Sequence, residues 1–193
     1  MSPSYHEDNA DDAALIARLR DGDPAALEAL MRVYGERLIH YAARRVGSDD
    51  RAHEVVQDVF FALWRDRATL PHPLDVAAYL YWRTRNHAIN LARAEQAMHE
   101  REKRWTTELS LDHDSAFSYD EAADVAEQEL AIRNALADVP ARSREVLLLV
   151  WEEKLSYAEV ATVLGIAVPS VRSQMSRALK HLLAVLKAKP DVR

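Results

Sequence analysis

From Ala52 to Leu63 the residues Ala52, Val55, Val56, Val59, Phe60 and Leu63 recur at steps of three and four. That spacing gathers them on one side of an α-helix, whereas a strand would scatter them over both faces. Ser48-Asp49-Asp50 stands just before them. A Ser there caps the free amides of a first turn, and the two carboxylates lie at the positive end of the helix. The same punctuation recurs along the chain. Asp23-Pro24 opens a helix that runs to Gly47, a residue suited to a left-handed C-cap. Pro71-His72-Pro73 breaks the pattern, and Asp75 caps a third helix directed toward Arg104. Val139-Pro140 precedes another helix, Ala141 to Glu153, which carries the most apolar run. The chain reads as helices from end to end and shows no internal repeat. Only 4 of its 193 residues are Gly, which argues against a turn-rich all-β fold. The expected class is all-α.

Several functions are excluded early. There is no Cys, so a disulfide scaffold, a cysteine-ligated zinc finger and a cysteine nucleophile are ruled out, and a reducing compartment fits. The longest apolar run, Val146 to Trp151, is far too short to cross a bilayer. The first residues, Met1-Ser2-Pro3-Ser4-Tyr5-His6-Glu7-Asp8, are polar and acidic and make no secretory signal. The expected location is the cytoplasm. His113-Asp114 is the pair with which some helical phosphohydrolases hold metals, but the 8 His residues show no ligand spacing. Gly-rich phosphate loops and nucleophile elbows are missing as well. The expectation is a protein that is not an enzyme and that uses no cofactor, no metal and no small-molecule substrate.

Net charge is −6, yet its distribution matters more than its sum. Glu108 to Glu129 contains Glu108, Asp112, Asp114, Asp120, Glu121, Asp124, Glu127 and Glu129 and no Lys or Arg. Ile166 to Lys189 contains Arg172, Arg177, Lys180, Lys187 and Lys189 and no acid. Tyr79 to Ala94 contains Arg83, Arg85 and Arg93, again without an acid. The acidic stretch lacks sustained periodicity and reads as a linker, with a new helix starting near Tyr119 or Asp120. The expected domains are 1–104 and 120–193, joined by an acidic linker at 105–119.

The C-terminal basic segment has a recognisable grammar. Ser156-Tyr157-Ala158-Glu159 is a capping box that opens a short helix, Tyr157 to Leu164. Gly165-Ile166-Ala167 turns the chain, and a second helix opens at Val168-Pro169. Ala161 permits close helix approach, Gly165 supplies a positive φ, and Ile166 and Val171 plug the angle. This is a helix-turn-helix, whose second helix enters a major groove by its N-terminal end. There stand Pro169, Ser170, Arg172, Ser173, Ser176 and Arg177. Val171, Met175, Ala178, Leu179 and Leu182 form the stripe expected to pack inward. Arg pairs bidentately with guanine, and Ser contacts bases or phosphates tolerantly. Two amphipathic helices with a solvated basic face would account for the same residues.

Two N-terminal segments add to this. In His53 to Arg65, Glu54, Gln57, Asp58 and Arg65 form a polar face that Phe61 and Trp64 border. This suits either a solvated back of a core helix or a docking face with aromatic anchors. Tyr79 to Arg93 mixes aromatics, Arg and Asn, which suit stacking on bases, pairing with phosphates and reading adenine. Alternatively, Tyr79 and Trp82 are core and the Arg residues are merely solvated.

In this order the segments resemble an extracytoplasmic-function (ECF) sigma factor of the bacterial RNA polymerase sigma-70 family. Glu54-Val55-Val56-Gln57-Asp58-Val59-Phe60 resembles region 2.2, and Tyr81 to Asn90 resembles region 2.4. Leu136 to Val146, with the helix-turn-helix, resembles region 4. The resemblance implies binding to core RNA polymerase, promoter recognition, transcription initiation and an anti-sigma factor as a further partner. By position it places Glu54, Gln57 and Asp58 on the polymerase clamp, and Phe61 and Trp64, the aromatic anchors bordering that face, are expected to dock with them. It places the loop Leu70 to Asp75, with Arg85, Asn86, Asn90 and Arg93, on the −10 element, and Arg83 of the same basic segment is expected to join them. It places Arg172, Ser173, Ser176 and Arg177 on the −35 element, and Pro169 and Ser170, at the same end of the helix, are expected to lie there with them. The linker would follow the path of RNA through the polymerase. The chain departs from the family at Ala167, where Ser or Thr usually caps the recognition helix, at Pro169, and at Thr84, where Ala is frequent. The alternative reading is a free-standing helix-turn-helix regulator that acts without polymerase. That reading calls for dimerisation heptads, which are not seen, and leaves the segment at 54–64 without a role.

Overall fold

The computed structural model describes residues 5–105, 136 and 138–188. Among the described residues the structure is helical, with no strand. The order is α1 (Tyr5–Arg20), α2 (Pro24–Val46), α3 (Asp49–Arg65), a 3-10 turn (Arg67–Thr69), α4 (Val76–Trp105), α5 (Ala141–Trp151), α6 (Tyr157–Leu164) and α7 (Val168–Ala188). The chain divides into two compact units, the first holding α1 to α4 and the second α5 to α7. The expected linker at 105–119, the helix start near Tyr119 and the exact domain limits lie outside the described residues.

The first unit is built where the capping signals direct. Asp23 accepts from the Ala25 amide at 2.9 Å, Pro24 begins α2, and Gly47 ends it at φ 67°. Ser48 caps α3 through the Arg51 amide. Asp75 accepts from the Ala78 amide at 2.9 Å and starts α4. The stripe Ala52, Val55, Val56, Val59, Phe60 and Leu63 is buried throughout. It meets Leu30, Leu38 and Tyr41 of α2 and Leu80, Tyr81 and Ala88 of α4 in a core where each is buried. Tyr41 and Tyr81 pack edge to face at 5.1 Å, a geometry that places the positive ring edge on a negative face. Helix α1 adds Ile16 and Leu19 to this core. Its buried Asp12 carboxylate accepts from the Tyr34 hydroxyl of α2.

The second unit contains the expected helix-turn-helix. Ser156 accepts from the Glu159 amide at 3.2 Å, and Glu159 accepts from the Ser156 amide at 2.5 Å, so both halves of the capping box form. Gly165 ends α6 at φ 64°, and Ala161 is buried against its neighbours. Val171, Met175 and Ala178 are buried and Leu182 is half-buried, as the stripe requires. Leu179 departs from it, being 43% exposed. It lies eight residues after Val171, about 80° around the helix from the buried line. The Ser143 hydroxyl and the Gln174 amide oxygen, 2.6 Å apart, join α5 to α7.

Ala167 gives α7 no side-chain cap. Its carbonyl takes the Ser170 amide at 2.8 Å and the Val171 amide at 3.2 Å. Pro169 brings no amide, so a capping hydroxyl at 167 would address Ser170 alone. Ala167→Ser should therefore stabilise the second unit modestly, by about 0.5–1 kcal/mol, the lower part of the capping range. Urea denaturation of the chain and its variant would show an unchanged midpoint if the cap contributes nothing.

Candidate functional site

Helix α3 carries the first group. With its apolar stripe buried, Glu54, Gln57 and Asp58 are exposed. Phe61 beside them is 64% exposed, an unusual position for a large aromatic that the core does not need. Trp64 is half-buried, and the Arg67 guanidinium stacks over its ring at 4.4 Å. Trp64 thus lies at the border of the face, while Phe61 stands out from it. The Asp58 carboxylate lies 3.5 Å from His87 Nε2 of α4, so the α3 face borders the next group.

Helix α4 carries the second group. Its buried side is Leu80, Tyr81, Thr84 and Ala88. On the other side Trp82, Asn86, Asn90 and Arg93 fall at steps of four, four and three, which puts them on one face. Trp82 is 42% exposed, Asn86 is half-buried, and Asn90 and Arg93 are exposed. Trp82 thus belongs to the surface with the Asn and Arg residues and not to the core. Residue type alone could not separate the two readings of Trp82. Its spacing from Asn86 and Asn90 carries the signal that could have found it.

Arg83 is engaged differently from its neighbours. Its Nη2 donates to Asp66 Oδ2 at 3.2 Å, and its guanidinium lies 5.3 Å from the Tyr79 ring. Arg65 donates to both oxygens of the same carboxylate, at 2.8 and 3.1 Å. The Arg65 hydrogen bonds, with help from Arg83 and against the cost of desolvation, hold the Asp66 carboxyl below its usual value. A carboxylate depressed in the folded state favours folding above the unfolded value, about pH 4. That contribution is lost as pH falls through the depressed value. Asp66→Asn should accordingly flatten the acid limb of thermal stability below about pH 4 relative to the parent chain. Parallel curves for the two proteins would contradict this account.

Helix α7 carries the third group. Pro169, Ser170, Arg172, Ser173, Ser176 and Arg177 are all exposed, on the side opposite Val171, Met175 and Ala178. The first turn contains no acid. The free amides and the helix dipole therefore add to the two guanidinium charges instead of being offset. Gln174, between these residues, is turned to Ser143. The three groups belong to two separate units, α3 and α4 to the first and α7 to the second.

Known proteins resemble this chain in sequence and in fold. Residues 30–98 match the Sigma-70 region 2 family, and residues 129–182 match Sigma-70, region 4. The ECF RNA polymerase sigma factor SigF of Caulobacter vibrioides is 31% identical over 88% of this chain and 90% of its own length. The chain belongs to the ECF sigma factors. A second relative, SigL of Mycobacterium tuberculosis, is 30% identical over 86% of this sigma factor and 94% of its own length. CnrH, solved in complex with the cytosolic domain of CnrY, superposes with a TM-score of 0.64 at 26% identity, covering 93% of this chain and 99% of that one. RpoE of Bartonella quintana, solved with the anti-sigma factor NepR, shares the fold at a TM-score of 0.59 and 20% identity, covering 84% and 98%. The protein is an alternative sigma factor, a subunit through which RNA polymerase initiates transcription at promoters. The match to region 2 as well as region 4 sets aside the free-standing regulator. Among the described residues no helix is long and apolar enough to cross a membrane.

Proposed function

We propose that this sigma factor divides promoter recognition among its three exposed groups. Glu54, Gln57, Asp58, Phe61 and Trp64 dock on core polymerase. Arg85, Asn86, Asn90 and Arg93, with the loop at 70–75, engage the −10 element, and Trp82 joins them as a stacking surface. Arg83 serves the same region mainly through Asp66, by fixing the start of α4 against the end of α3. Pro169, Ser170, Arg172, Ser173, Ser176 and Arg177 lie in the −35 major groove. The observation that carries this reading is the exposure of all six α7 residues opposite the buried Val171, Met175 and Ala178. A helix that presents its basic N-terminal turns while its apolar line holds the fold is built to be read against a groove.

The division of labour also bears on its partners. The chain itself performs no catalysis, and polymerase supplies the chemistry. CnrH, a relative in fold and sequence, was solved with a bound cytosolic partner domain, which supports an anti-sigma factor as a regulator here. The work is cytoplasmic, where promoter DNA and core polymerase are found. The test is a binding and transcription assay on promoter fragments, with and without core polymerase. Specific binding and transcript should require both proteins. Sequence-specific binding by the chain alone, unchanged when core is added, would overturn the assignment of the α3 group.

A further inference from the structure

Arg20, at the end of α1, reaches 50 residues along the sequence to the loop between the 3-10 turn and α4. Its Nη2 donates to the Leu70 carbonyl at 3.2 Å and to the Pro71 carbonyl at 2.5 Å. Its Nη1 lies 3.2 Å from His72 Nδ1. A guanidinium only donates, so Nδ1 is the acceptor in this contact. One planar fork thus holds three successive residues. A lysine ammonium is a point donor and could not span them in the same way.

The loop has its own anchors at both ends. Thr69 donates its hydroxyl to the Asp66 carbonyl at 2.9 Å, and Asp75 caps α4. Leu70 is buried, whereas Pro71, His72 and Pro73 are exposed. Two prolines in three residues remove the amides through which a loop could order itself. The middle of the loop is therefore held from outside, by the side chain of a helix that precedes the stretch matching region 2.

We propose that Arg20 is a positioning residue for −10 recognition: it fixes the exposed 71–73 segment in the conformation that meets DNA. The proposal rests on the reading of the 70–75 loop as a −10 contact. Arg20 itself makes no base contact. With Arg20 removed, Thr69 and Asp75 still hold the ends, so the fold persists while the segment between them samples other conformations. Discrimination at the −10 element then weakens, and the −35 element, read by the other unit, is untouched.

The experiment uses holoenzyme assembled from the full chain and core polymerase. The probe is a promoter fragment that the parent holoenzyme enriches from DNA randomised at both elements, together with its point variants. Arg20→Gln should reduce −10 discrimination about tenfold, the factor that 1.4 kcal/mol represents. Its −35 discrimination, core affinity and helix content by circular dichroism should equal the parent's. Arg20→Lys, which retains the charge and part of the donor set, should fall between the two. Full −10 discrimination in Arg20→Gln overturns the proposal. So does an equal loss at both elements or a loss of core affinity, because either marks a merely structural role. The combined variant Pro71→Ala, His72→Ala, Pro73→Ala separates the two levels. If it alone loses −10 discrimination, the loop reading stands and Arg20 is excluded. If it retains discrimination, the loop reading fails and the proposal falls with it.

Discussion

Asp58→Arg should lower the affinity for core polymerase about 100-fold while leaving the free chain folded by circular dichroism. The size follows from opposing a charge to a complementary surface, where like-charge juxtaposition costs several kcal/mol and each 1.4 kcal/mol is a factor of ten. The side chain is well placed for a change without collapse. It is exposed, it faces away from the buried Val55, Val56, Val59 and Phe60, and its contact to His87 is a surface pair at 3.5 Å. Such exposed pairs contribute at most about 1 kcal/mol to stability. Phe61→Ala is the companion variant. It removes an exposed ring that no core residue requires, so it should weaken docking with little loss of thermal stability. Fluorescence titration of labelled sigma factor with core would measure both. Parent-like affinity in Asp58→Arg would remove α3 from the docking surface.

The parts of this molecule that sequence made legible are local ones. Asp23-Pro24, Ser48, Asp75 and the Ser156–Glu159 box each act within four residues, so the helix starts could be read without knowing what packs where. The buried line of α3 was legible because period and residue type agree at every position. Tertiary relations were not. Asp66 and Arg83 are 17 residues apart, and nothing in either segment names the other. Arg20 and the loop at 70–72 are farther still. Trp82 was ambiguous because an aromatic suits core and surface alike; its spacing from Asn86 and Asn90 points to the surface, and the burial of Leu80, Tyr81, Thr84 and Ala88 on the other side agrees. Leu179 misled for a related reason. An apolar residue at a plausible spacing reads as part of the stripe, yet eight residues carry it about 80° around the helix from Val171, and it stands exposed.

The −35 assignment makes the other large prediction, at Arg172. This side chain stands in the first turns of α7, four residues after the helix begins, where a helix-turn-helix presents its side chains to base edges. Val171 before it is fully buried and Gln174 after it is bound to Ser143, so the helix cannot rotate to hide Arg172 without breaking its own packing. The guanidinium fork takes two acceptors from one guanine, a match that a point charge cannot reproduce. Arg172→Ala should cost about 1–3 kcal/mol at one base pair and relax the preference there, leaving the other positions as they were. Lys180, two turns further on and exposed, is too far along the helix for base edges. Its removal should weaken all sequences alike and lower the salt dependence by about one phosphate contact. Holoenzyme binding to a set of −35 point variants at two salt concentrations distinguishes the two behaviours. A uniform loss in Arg172→Ala would make it a phosphate contact, and base reading would then have to pass to Ser170, Ser173 or Arg177 on the same exposed face.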